Sequence, residues 1–224
     1  MAQPLTAPQD TGPAPAPRNR GRRRRALIAA SLAVLVVAFC ATTARLFMFP
    51  VRGMPARVDA IVMLGGPGDR FHEALKLASE HRAPYLALSL GHPLGPYPPH
   101  FPGQGPGSPG QQPDLPGNRL HAGQADFPCG PVITGVKVIC FGPDPPTTQG
   151  EAEAVKRLAA KYHWHSVVLV TITPQDSRAR LRVERCFSGK VYVMTGSLPA
   201  YGWPAEILYE WAATIKAVVF QRSC

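Results

Sequence analysis

The chain has 224 residues, with 26 Pro, 21 Gly and a formal charge of +10. That length allows one ordinary domain plus extra segments, and a Pro and Gly share of about a fifth excludes a chain packed throughout. A positive balance suits an anionic membrane or nucleic acid. Half of the excess lies before residue 26, where six Arg accompany one Asp, and this argues for the membrane and against nucleic acid.

Residues 1–25 read as a disordered basic cytoplasmic tail, with Pro alternating with Ala in GPAPAPR and the run Arg22, Arg23, Arg24, Arg25 at its end. Residues 26–49 form an apolar run whose single charge is Arg45. As a helix it would reach ~36 Å, against a hydrocarbon core of ~30 Å, so a transmembrane helix is expected. Arg45 can snorkel at the far end. Clustered Arg before the span predicts a plasma-membrane protein with a cytoplasmic N-terminus and an extracytoplasmic C-terminal domain. A cleaved signal peptide is the competing reading. The run is long for an h-region, and no A-x-A site stands out after it.

Residues 50–57 read as a linker and 58–224 as the folded domain. Continuous apolar runs at 58–64, 85–90, 136–141, 166–171 and 191–194 predict buried parallel strands. Between and after them, 69–81, 148–162, 174–187 and 204–220 carry helical apolar stripes. The alternation predicts an α/β fold, a Rossmann-like three-layer parallel sheet built from right-handed crossovers. Residues 91–131 interrupt it with 11 Pro and 9 Gly. Such a loop is unusual inside a compact domain and reads as a mobile surface insertion, either tolerated or a lid.

Of five cysteines, Cys40 lies in the span. Cys129, Cys140, Cys186 and Cys224 lie beyond it, where disulfides persist. A bridge from Cys186 to Cys140 or Cys129 is the expected one. The spacings match no zinc pattern, and no metal site is expected.

Polar residues cluster where strands end, the place an α/β sheet builds its ligand crevice. Gly65 and Gly66 follow the first strand, where small residues admit a ligand to the backbone, or simply serve a turn. The string GGPGDR lacks the G-x-G-x-x-G spacing, so NAD is not inferred and no cofactor is named. Arg70 opposes the helix dipole in the first turn, which favours a ligand-facing role. Thr148 and Glu151 form a T-x-x-E capping box, a complete structural explanation that also sits at the crevice edge. Asp144 either orients a ligand or closes the Pro-rich bend before them. Thr173, Pro174 and Asp176 read as helix-start residues. Arg178, Arg182 and Arg185 share a helix face that would ordinarily be solvated, and Arg178 is placed to clamp a phosphate or carboxylate. Glu206 and Glu210, one turn apart, either serve acid/base chemistry as paired carboxylates or, as expected, lie on an exposed helical face. His163 and His165 flank Trp164 at the start of a strand.

The strings VDAIVMLGG with Arg70, TTQGEA, VVLVTITPQDSRARLRVERCF and YEWAATIKA resemble the YdcF-like domain family, over about 58–220 without the insertion. The RCF string and single span are similar to its actinobacterial membrane-anchored branch. The resemblance implies a Rossmann-like domain tied to envelope integrity and to peptidoglycan or lipid-carrier metabolism, with no general reaction. It implies a site of Gly65, Gly66, Arg70, Thr148, Glu151, Thr171 and Arg178. The family's usual Ser, His and Asn are here Ile172, Gln175 and Ala152. Gln175 cannot act as an acid or base near neutral pH. The expected function is therefore an exported domain that binds an anionic, lipid-linked or similar envelope precursor. Hydrolysis assisted by Glu151 is the least strained chemistry for processing it. The alternative is a non-catalytic envelope scaffold with a degenerate site.

Overall fold

The computed structural model describes residues 20–50, 53–90, 127–128 and 131–224. Its contacts divide the chain into Met1–Ala41 and Thr42–Cys224. The first unit is described through helix α1 (Arg20–Thr43), which runs two residues into the second. The stretch Gly21–Met48, with a mean hydropathy of 2.4, is long and apolar enough to cross a membrane. Arg22 to Arg25 are helical, which corrects the expected disordered tail at that end. Arg and Ala are good helix formers and nothing between Arg22 and Ala41 breaks the run. The remaining tail, 1–19, lies outside the described residues.

The second unit alternates strand and helix as β1 (Ala60–Met63), α2 (Arg70–Ser79), β2 (Tyr85–Ser89), β3 (Phe127–Pro128), β4 (Lys137–Phe141), α3 (Thr148–Tyr162), β5 (Ser166–Ile172), α4 (Asp176–Cys186), β6 (Lys190–Gly196) and α5 (Trp203–Val219). The sheet order is β3-β4-β2-β1-β5-β6. Five strands are parallel, and β3 pairs antiparallel with β4 at the edge. Ala60 is registered with Tyr85 on one side and Val167 on the other. The chain thus leaves β1 in both directions, and the β1/β5 boundary is the switch point where such sheets open a crevice. Strand β3 falls within the expected insertion, most of which lies outside the described residues.

Strand alternation divides the core. Ala60, Val62, Leu64, Val167 and Leu169 face one side, with Val155 and Leu158 of α3 and Val183 of α4. Ile61, Met63, Leu86, Val168 and Val170 face the other, with Ala74, Leu77 and Ala78 of α2. Both faces are covered, so the strands read as unbroken apolar runs. Asp59 joins β1 to the start of β5: its Oδ2 accepts from the backbone N–H of His165 at 2.7 Å and of Ser166 at 2.8 Å. Although burial alone would raise it, these bonds hold the Asp59 carboxyl below its ordinary value.

The compact unit starts before residue 58. A π-helical turn, Ala44–Met48, buries Phe47 completely, with its ring edge-on to Trp211 of α5 at 5.3 Å. Trp211 Nε1 donates to Thr43 Oγ1 at 3.2 Å, and Ser177 Oγ donates to the Leu46 carbonyl at 2.7 Å. Residues expected as the last turn of the span are therefore part of the domain's packing.

Cys186 pairs with Cys224, not with Cys140 or Cys129. Cys140 belongs to the core on the α2 side of the sheet and Cys186 packs on the opposite side, so the sheet itself separates them. Packing of α5 on α4 brings the C-terminal residue to the end of α4 instead. Cys129 lies outside the described residues.

Candidate functional site

A cavity of about 500 Å³ opens at the strand ends. The loop after β1, the first turn of α3, the inner face of α4 and the inner face of α5 line it. Of the expected residues, Gly65, Gly66, Arg70, Thr148, Glu151 and Arg178 converge there. Thr171 and Asp144 do not.

Arg70 is the first residue of α2, whose cap is Asp69. Its side chain folds back onto the loop after β1. Nε donates to the Pro67 carbonyl at 2.8 Å, and Nη1 donates to the carbonyls of Leu64 and Gly65. Nη2 is buried without a protein partner. Leaving such a group unmet costs about 1–3 kcal/mol or more, so it calls for an explanation. Gly66 makes the arrangement possible. Its φ is +128°, and a Cβ there would lie 2.7 Å from Arg70 Nη2. Burial lowers the Arg70 pKa to about 10, against the opposing pull of Glu151, Glu206 and Glu210. The group stays cationic at neutral pH.

Glu151 comes from the first turn of α3. The cap of that helix is Thr147, whose Oγ1 accepts from Gly150 N at 3.4 Å. This corrects the expected box at Thr148 by one residue, with a functional consequence. Thr148 and Glu151 fall inside the helix, and neither side chain caps it. Glu151 Oε1 instead accepts the Gly65 N–H at 2.6 Å, across the crevice from its own helix. Burial raises its pKa, and bonds from Ser89 and Gly65 with the charges of Arg70 and Arg178 only partly offset this.

Arg178 is not a free clamp. Its Nε and Nη2 donate to Glu210 Oε2 and Oε1, each at 2.6 Å, and Nη1 donates to Thr148 Oγ1 at 2.8 Å. Burial alone would lower the Arg178 pKa, but the bonds and charge of Glu210 outweigh it and raise the value. Glu210 is wholly buried, which corrects the exposed face expected for it. Arg182 is likewise buried rather than solvated, donating to the Gln221 carbonyl at 2.7 Å and to its side-chain oxygen. Both corrections have one cause: α5 packs against α4 and turns its carboxylates inward.

Thr171 lies wholly buried behind the cavity wall. Its Oγ1 donates to Gln175 Oε1 at 2.8 Å, and Gln175 Nε2 donates to Thr148 Oγ1 at 3.3 Å. Thr171 therefore positions Gln175, which does line the cavity. Asp144 is exposed in the bend before α3, and its peptide to Pro145 is cis. It closes the bend and does not line the cavity. Sequence reasoning missed Arg182, Tyr209, Lys216 and Gln221 as lining residues and placed Glu206 outside. Burial raises the pKa of Glu206, as does the charge of Glu210. The signal was present in part: Glu206, Tyr209, Ala213 and Lys216 recur at helical spacing. No group of three or more His, Cys, Asp or Glu is placed to hold a metal among the described residues.

The fold and cavity define a class: an α/β protein with a Rossmann-like parallel sheet and one N-terminal helix able to span a membrane. No protein family, curated protein or solved structure matches the chain.

Proposed function

We propose that the protein is a single-pass membrane protein whose extracytoplasmic domain binds an anionic cell-envelope precursor in the strand-end cavity. The observation that carries this reading is Arg70, which lines the cavity and whose buried Nη2 has no hydrogen-bond partner in the protein. A phosphate or carboxylate oxygen would satisfy it with a charge-assisted bond. Lys216 and Arg182 add further cations to the wall, beside the carboxylates of Glu151 and Glu206, while Arg178 is neutralised by Glu210. The YdcF-like resemblance supplies the envelope setting. The Arg run before the apolar helix supports a cytoplasmic N-terminus. The Cys186–Cys224 bridge fits an oxidising compartment outside it.

Binding without chemistry is the second reading, and Gln175 favours it. Both of its amide atoms are engaged, and an amide exchanges no proton near neutral pH. If the ligand is processed, Glu151 is the acid–base candidate, since a raised carboxyl pKa suits proton exchange.

Calorimetric titration of the full-length protein in nanodiscs with inorganic phosphate and with a polyprenyl phosphate tests the reading. Arg70→Ala is expected to lower affinity at least ~10-fold, as loss of one charge-assisted bond implies. Binding by neither probe, or undiminished binding to Arg70→Ala, would overturn it.

A further inference from the structure

Helix α5 is built the wrong way round for water. Its inner face holds Glu210, fully buried, and the half-buried Glu206. Its outer face carries Ala205, Leu208, Ala212, Ile215 and Val219, all exposed. At 100° per residue these five fall within one stripe about 80° wide and ~21 Å long, free of charge. Leu208 is 74 % exposed, and Phe220 just beyond the helix is 78 % exposed. An uncharged stripe of this length on a soluble surface marks a contact with something apolar.

The occupant is indicated by what adjoins the stripe. Trp211, one turn along α5, bonds Thr43, the last residue of α1, and packs on Phe47 just after it. Thr43, which ends the apolar helix, and Phe47, which follows closely on it in the chain, are therefore held against the middle of α5. A lipid surface is consequently held beside this helix by the chain itself, which no separate protein partner is. We infer that the outer face of α5 lies in the lipid surface next to the point where the span ends. This rests on the proposal that helix α1 spans the membrane, and is independent of what the cavity binds. Tyr209 and Lys216 border the stripe and also line the cavity, so this placement sets the cavity rim at headgroup level.

Photo-cross-linking in the full-length protein tests it. A benzophenone amino acid would replace Leu208, Ile215 or Val219 one at a time, in bilayers of phosphatidylethanolamine and phosphatidylglycerol. Val36 in the span and exposed Glu184 on α4 serve as controls. Lipid adducts at all three α5 positions, several-fold above Glu184, are expected. Adducts to a second copy, to another protein or to the 91–131 segment would overturn the inference, as would adducts no stronger than at Glu184. Lipid adducts at Val36 alone would sink the inference and leave the membrane anchor standing. None at Val36 would sink both. Loss of anion binding in the cavity would bear on neither.

Discussion

Arg178 and Glu210 meet in a two-point bond, with both nitrogen–oxygen distances 2.6 Å and side-chain exposures of 8 % and 0 %. Residues 32 positions apart thereby tie α4 to α5 and close one wall of the cavity. Removing one member leaves a buried charge without its partner, which typically costs about 3–5 kcal/mol. Glu210→Ala is expected to lose that much in urea unfolding. A Glu210→Leu, Arg178→Met double variant should recover most of it. Equal losses in the single and double variants would contradict the pair's structural role.

Gly66 and Arg70 make a second, sharper test. A methyl at Gly66 meets the Arg70 guanidinium and forces φ +128° on a residue that resists it. Gly66→Ala is expected to destabilise the domain by about 1–2 kcal/mol and to weaken anion binding as strongly as Arg70→Ala. Calorimetry on both variants checks this. A Gly66→Ala variant that binds normally would show that Arg70 is not held as described.

The pH dependence follows from Glu151. Its folded pKa is raised above 4.5, chiefly by burial. The stability it contributes is therefore fully present below 4.5 and is lost as pH rises through the raised value. Protonation also removes a negative charge beside Arg70, so anion affinity should rise as pH falls through the same window. Sulfate, which does not titrate there, is the suitable probe. Glu151→Gln should flatten the slope, and Glu206→Gln should flatten what remains, because Glu206 is raised too. An unchanged slope in the double variant would exclude both carboxyls as its source.

The disulfide joins Cys186 to the last residue of the chain across a separation of 38. Chain entropy alone assigns such a loop about 4 kcal/mol. Gln221, three residues earlier, holds Arg182 at the cavity edge. Cys224→Ser is expected to lower the urea midpoint and to weaken anion binding by loosening that wall. Cys40→Ser, at an exposed free thiol, should change neither. Full binding in Cys224→Ser would separate the tail from the site.

Local pattern by itself determined the element order, the parallel sheet and the apolar helix of this protein. Strand and helix periodicity are short-range, and a strand buried on both faces announces itself as an unbroken apolar run such as AIVM, or the VVLV within β5. The loop after β1 was also legible, since Gly65, Gly66 and Arg70 are neighbours in sequence. What only the tertiary structure decided is which charges stay free. Thr148 and Glu151 looked like a cap because a T-x-x-E spacing fits one equally well a residue later. Arg178 looked available because Glu210 lies 32 residues on, and no periodicity within α5 states which face turns inward. The partner of Cys186 was hidden for the same reason: Cys140 is on the other side of a sheet whose faces a one-dimensional pattern does not label. Pairing across such distances is set by how α4 and α5 pack, and packing turned the carboxylates of α5 in and its apolar stripe out.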